Sequence, residues 1–131
     1  MSQRVLTFGT FDVFHVGHLR LLQRARAQGD CLIVGISTDE MNQSKKQRAP
    51  VYSLAERMEI VSGLRCVDEV FPEESMELKR EYLVQHRANI LVMGDDWRGR
   101  FDEFSDLCEV RYLTRTPSIS TTVTIEKIRS T

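Results

Sequence analysis

The sequence predicts an α/β fold: one domain over residues 1–131, built as a doubly wound, Rossmann-like parallel sheet of about five strands with helices on both faces. Three observations carry this. Short apolar runs alternate with stretches of helical periodicity along the whole chain. Two of the runs, "CLIVGIS" and "ILVMG", are apolar at nearly every position, which suits strands covered on both faces. A chain of 131 residues is long enough to bury a core and short for two domains.

The elements follow in order. "RVLTF" (Arg4 to Phe8) is a short buried strand, and "HLRLLQRARAQG" a helix with Leu19, Leu22 and Ala25 on one stripe, closed by Gly29. Cys31 to Ser37 is the second strand. "SLAERMEIVSGL" opens with a capping box, Ser53 with Glu56, and spaces Leu54, Met58, Val61 and Leu64 as a helix does. "CVDEVFP" makes a weaker strand, "SMELKREYLVQHRAN" a helix ending at Asn89, and "ILVMG" a fourth strand. "EVRYLTR" is the fifth, and "STTVTIEKIRS" a final helix capped by Ser or Thr. Right-handed βαβ units of this kind bind ligands outside the carboxyl ends of their strands. The functional residues are therefore expected in the loops after Phe8, Ser37, Gly94 and Arg115.

Composition narrows the function. The formal net charge of −1 argues against broad binding of nucleic acid. No apolar run approaches the roughly 20 residues of a membrane span, and the first residues lack a signal-peptide layout, so no membrane partner and a cytoplasmic address are expected. Cys31, Cys66 and Cys108 are odd in number and sit in or beside apolar sequence, as reduced thiols rather than a disulfide frame or zinc cage.

The stretch "GTFDVFHVGH", Gly9 to His18, holds two of the three histidines directly after the first strand. As a metal site it lacks ligands: Asp12 is the only close carboxylate, and zinc takes three or four protein donors. As ordinary polar residues they would share one turn by accident. The third reading starts from the strand-to-helix loop, where backbone N–H groups and the positive helix end attract anions. Gly9 and Gly17 permit close approach to the backbone, and imidazoles there can donate hydrogen bonds to phosphate oxygens. "RTPSISTT", Arg115 to Thr122, offers a second such place, where Ser120, Thr121 and Thr122 either cap the last helix or hold phosphate with the same amides. Lys45, Lys46 and Arg48 are read as a loop between these ends. Arg57 lies near a helix start, where the dipole disfavours a cation, and so is a candidate for another task.

Taken together, "GTFDVFHVGH", "STDE", "GDDW" and "RTPSISTT" resemble the cytidylyltransferases of the HxGH nucleotidyltransferase superfamily, from Val5 to about Ile128. The resemblance implies transfer of CMP from CTP to a small phosphate monoester, releasing pyrophosphate, with Mg²⁺ carried mainly by the triphosphate and no protein metal ligands, in a homodimer. Glycerol 3-phosphate is the first acceptor it implies, ahead of phosphoethanolamine, phosphocholine or a sugar phosphate. It also implies roles. His15 and His18 contact the nucleotide phosphates and stabilise the transition state, with Gly9, Thr10 and Phe11 in the same loop. Lys45 is the loop lysine near the reacting phosphates and the acceptor, with Lys46 as its alternative. Arg57 and Arg65 serve the acceptor side. Asp96 and Trp97 fall where the family builds around the cytosine, with Trp97 also assigned to the acceptor. Arg115, Thr116, Ser120 and Thr121 hold the triphosphate, and Asp12 and Asp39 orient loops.

One departure stands out: Pro117-Ser118 replaces a pair that commonly ends in Gly, which puts the shape of that loop in question. The chemistry asks for no general base, because a phosphate monoester with a second pKa near 6 is already ionised at neutral pH. Positioning and positive charge must do the work, without a covalent intermediate. An adenylyltransferase of the same superfamily and a nucleotide-binding regulatory module are the rival readings. An aminoacyl-tRNA synthetase fragment is disfavoured by the short chain and by the lack of its second lysine motif.

Overall fold

A computed structural model describes residues 2–46, 49–114 and 121–130, with the side chains of 44–46 outside the description. Five parallel strands form one sheet: β1 (Arg4–Gly9), β2 (Cys31–Ser37), β3 (Glu69–Glu73), β4 (Ile90–Gly94) and β5 (Glu109–Leu113). Their spatial order is β3-β2-β1-β4-β5. Phe8 is in register with Gly35 of β2, and Thr7 with Val92 of β4. The chain winds outward from β1 in one direction, then returns to lay β4 on its other side, so the switch point lies between β1 and β4. Ligands of open α/β sheets bind above that crevice.

Alternation of side chains along β1 and β2 builds a core on each face. Val5, Leu32, Val34 and Ile36 meet Leu22 and Ala25 of α1 (Val16–Arg26) and Val61 of α3 (Leu54–Ser62). On the other face Leu6, Phe8, Ile33 and Leu91 meet Leu83 of α4 (Lys79–Gln85), together with Phe104 from the 3-10 turn Asp102–Asp106 between β4 and β5 and Phe101, which caps that turn. Val5, Leu6 and Leu32 to Val34 are fully buried, as the unbroken apolar runs predict.

The structure differs from the sequence reading in two stretches. Asp39–Lys46 is a helix, α2, where a loop is expected; Thr38 Oγ1 caps it by accepting from Met41 N at 3.2 Å. The expected single helix from Ser75 to Asn89 is a 3-10 turn, Met76–Leu78, followed by α4, which ends at Gln85. Arg87 then takes a left-handed φ of 55°, turning the chain into β4. The last helix, α5 (Thr121–Ser130), is present and buries Ile125.

Candidate active site

A cleft of about 340 Å³ opens over the switch point. The last residues of four strands, Gly9, Ser37, Glu73 and Gly94, line it, and Thr114 after β5 joins them. One wall is the start of α1 with Thr121; the other is Met76, Lys79, Trp97 and Phe101.

The loop after β1 is tightly specified. Gly9 is needed because a Cβ there would meet the Phe11 ring at 2.7 Å, so its lack of a side chain makes room for Phe11 rather than for a ligand. Phe11 and Val13 adopt φ of 55° and 46°, and a β-branched residue pays strain in that region. Asp12 holds the loop there. Its carboxylate accepts from Val51 N at 2.7 Å, Tyr52 N at 2.9 Å and Val13 N at 3.1 Å, tying the loop to the chain before α3.

His15 is the N-cap of α1. Its Nδ1 accepts from Gly17 N at 3.1 Å, while its own N–H donates to His18 Nδ1 at 3.2 Å, a capping box made by two imidazoles. The rings stack with centroids 3.8 Å apart. Because both Nδ1 atoms accept backbone N–H groups, each neutral ring carries its proton on Nε2. Thr121 Oγ1 lies 3.5 Å and 3.3 Å from these two Nε2 atoms and gives its own proton to Asp12 O at 3.0 Å. Its lone pairs therefore receive both imidazole N–H groups. Two donors are aimed from a helix start into the cleft, and that is the arrangement an anion takes.

Of the predicted residues, Gly9, Thr10, Phe11, His15, His18, Asp96, Trp97 and Thr121 all line this cleft. Trp97 packs on Phe101 with ring centroids 5.5 Å apart. Lys45 and Lys46 fall in the last turn of α2, and their side chains lie outside the described residues, as do Arg48, Arg115, Thr116, Pro117, Ser118 and Ser120.

The two acceptor-side arginines are corrected. Arg57 is fully buried below the cleft, committed to Thr10 O (2.9 Å), Ser37 O (2.8 Å), Tyr52 O (3.0 Å) and Asp39 Oδ1 (2.6 Å). Its planar fork ties three loops together and cannot also reach a substrate. Arg65 is exposed in the turn before β3, near Asp68, whose backbone and carboxylate bond Leu32 at the amino ends of the strands; it lies across the sheet from the cleft. Asp39 also accepts from Leu54 N at 3.4 Å, so it too shapes the loops.

Sequence reasoning passed over four residues of the cleft. Asn42 donates to Ser37 Oγ at 2.7 Å and accepts from Thr10 Oγ1 at 2.9 Å, bracing the floor; the sequence hides it because the weak periodicity of α2 reads as a loop. Arg24, in the basic last turn of α1, donates to Thr114 O at 2.5 Å and fixes the chain leaving β5. Glu73 and Lys79 form a buried ion pair at the cleft's β3 end. No local pattern announces that pair, since a strand and a helix bring it together. Among the described residues no group of three or more His, Cys, Asp or Glu could hold a metal, and no helix is long and apolar enough to cross a membrane.

Residues 6–131 match the family model for cytidylyltransferase-like proteins. The chain is 48% identical over 126 residues to a glycerol-3-phosphate cytidylyltransferase of Bacillus subtilis (strain 168), covering 96% of this chain and 97% of that one. It is 46% identical to the glycerol-3-phosphate cytidylyltransferase of Staphylococcus aureus (strain NCTC 8325 / PS 47), over 92% and 90% of the two chains. Among solved structures, a lipopolysaccharide core biosynthesis protein of Thermoplasma volcanium GSS1 shares the fold with a TM-score of 0.75 at 19% identity, over 88% of this chain and 99% of that one.

Proposed function

The chain belongs to the cytidylyltransferase-like family, and from that premise and the cleft we infer that it transfers CMP from CTP to glycerol 3-phosphate, giving CDP-glycerol and pyrophosphate. The observation that carries the mechanism is the pair of Nε2–H donors at the start of α1.

The acceptor phosphate arrives as its own nucleophile, so the protein must bring two polyanions together and stabilise charge as it spreads over the α-phosphate. We assign that to His15 and His18. Their N–H groups exchange Thr121 Oγ1 for phosphate oxygens and are already oriented by the capping box, so little reorganisation accompanies the reaction. The helix start adds its amides. Lys45 and Arg115, with Thr116 and Ser120 beside the latter, supply further positive charge and donors to the triphosphate in the same assignment. Asp96, at the carboxyl end of β4, is assigned to the nucleoside side. Direct in-line displacement follows, with no protein nucleophile in the scheme.

A magnesium ion belongs to this proposal, held mainly by triphosphate oxygens, where it would neutralise charge on CTP. A cytoplasmic address and a homodimer belong to it too, the second checked by sedimentation. The decisive assay incubates the protein with CTP and Mg²⁺ and a panel of phosphorylated acceptors. CDP-glycerol is the product expected; a different conjugate, or faster pyrophosphate release from ATP than from CTP, would overturn the reading.

A further inference from the structure

The floor of the cleft holds a closed circle of side-chain hydrogen bonds. Asn42, in the first turn of α2, is buried and lines both this cleft and a smaller cavity beside it. Its Nδ2 donates to Ser37 Oγ at 2.7 Å, Ser37 Oγ donates to Thr10 Oγ1 at 3.2 Å, and Thr10 Oγ1 donates to Asn42 Oδ1 at 2.9 Å. Each member gives a proton to the next and takes one from the last, so the three bonds polarise one another and fix one another's directions. Asn42 Nδ2 also reaches Thr38 O at 2.9 Å and Ser37 O at 3.3 Å. The ring thus joins the loop after β1, the end of β2 and the start of α2.

Packing alone does not ask for an amide here. Burying one costs free energy unless its partners are well placed, and an apolar side chain would anchor a helix at no such cost. What the amide adds is direction. Asp39 ties the first residue of α2 to Arg57, and beyond it, as far as Gln43, Met41 and Asn42 are the buried residues. One apolar side chain leaves a short helix free to roll; the ring stops that roll by referring α2 to Thr10, in the loop that carries His15 and His18. Lys45 and Lys46 end the same helix, and one turn is about 5 Å along its axis. Misplacing a group by about 1 Å at a reacting centre can cost about 10²-fold in rate.

We propose that Asn42 is a positioning residue for the transfer: through its ring with Thr10 and Ser37 it sets α2 against the phosphate loop, so that the cations of the last turn of α2 serve the phosphates that His15 and His18 grip. This rests on the reading of Lys45, with Lys46 as its alternative, as the cation beside the reacting phosphates. The test is a mutant cycle in kcat/KM for CTP between Asn42→Ala and the double variant Lys45→Met/Lys46→Met, with melting temperature as the check of folding. Asn42→Ala should fold, because the adjoining cavity of about 50 Å³ lets water reach the groups it leaves. It should lower kcat/KM about 10- to 100-fold with the lysines present, and less than about threefold once both are gone. A role confined to stability would lower both backgrounds by the same factor, and that equality overturns the proposal, as does an Asn42→Ala variant with wild-type kcat/KM. If Asn42→Ala does not fold, Ser37→Ala opens the ring without altering α2 and carries the same expectations and the same refutations. A Lys45→Met/Lys46→Met variant as active as the wild type removes the lysine reading and this inference with it, whereas an impaired lysine variant beside an unimpaired Asn42→Ala removes the inference alone.

Discussion

Arg57 and Lys79 are both buried cations facing carboxylates beside the same cleft, and they serve it in opposite ways. Arg57 spends its fork on the backbone carbonyls of Thr10, Ser37 and Tyr52 and on the Asp39 carboxylate, and of these Thr10 and Ser37 line the cleft. Among its contacts Lys79 meets the Glu73 carboxylate, the Met76 sulfur and the ring faces of Phe8 and Phe101, and it lines the cavity itself. A planar, many-donor cation can lock a framework, while a compact ammonium left at a cavity edge can exchange part of its shell for a substrate. Burial alone therefore does not sort scaffold from recognition. What sorts them is where the remaining surface of the group points.

The sharpest way to break this contrast is Arg57→Met. It leaves Asp39 and the carbonyls of Thr10, Ser37 and Tyr52 without their partner, so stability should fall by about 3–5 kcal/mol in urea unfolding, with activity lost alongside. Retained stability would mean that the hub is not structural. His15→Ala and His18→Ala should do the reverse, lowering kcat by about 10²–10³ while the fold persists, as lost oxyanion donors do. His15→Ala should also cost about 1 kcal/mol as a lost N-cap, which His15→Asn would restore without restoring turnover.

Lys79→Met by itself should cost about 3 kcal/mol, because Glu73 is left charged and buried, while adding Glu73→Gln should recover most of that loss. Additive losses in the double-mutant cycle would argue against a coupled pair. A smaller effect concerns the loop that Asp12 and Arg57 hold. Val13→Gly relieves a β-branched residue at φ 46° and should raise stability by up to about 1 kcal/mol in thermal unfolding.

The smallest effect is a control far from the cleft. Burial holds the His86 imidazole below its ordinary pKa; Glu69 nearby acts to raise it and Arg4 to lower it, and the ring stacks on Phe71 at 4.3 Å. A histidine with a depressed folded pKa binds fewer protons folded than unfolded. Its contribution is present above about pH 6.5 and is lost as the pH falls below that. His86→Gln should flatten the decline in melting temperature between about pH 7 and 5 and leave the acceptor KM alone. An unchanged slope would remove His86 from the account.

The two regions also differ in how far the sequence exposes them. The β1–α1 loop is continuous in the chain, so "GTFDVFHVGH" shows its glycines, its carboxylate and both histidines together, and the alternating runs place it above the sheet. What it does not show is that His15 and His18 cap one another and so fix their tautomers, which depends on backbone angles. The Glu73–Lys79 corner is invisible for another reason. Its members belong to separate elements, joined by a 3-10 turn that the helical pattern of "SMELKREYLVQHRAN" conceals. Arg57 stands out in the sequence for its awkward place near a helix start, and the family resemblance points it to the acceptor, but position along a helix cannot tell whether a guanidinium meets solvent or carbonyls. α2 is hard to see in the sequence although "STDE" supplies a Thr38 cap and an acidic first turn, since eight residues with few apolar positions give little periodicity.

The central claim is that two imidazoles, each protonated on Nε2 by the demands of its own capping box, grip the phosphate at which CMP is transferred. A crystal structure with CTP and Mg²⁺ tests it most directly. The account predicts α-phosphate oxygens within about 2.7–3.2 Å of Nε2 of His15 and His18, with Thr121 Oγ1 displaced from one or both. A nucleotide whose α-phosphate lies beyond hydrogen-bond reach of both rings would contradict it.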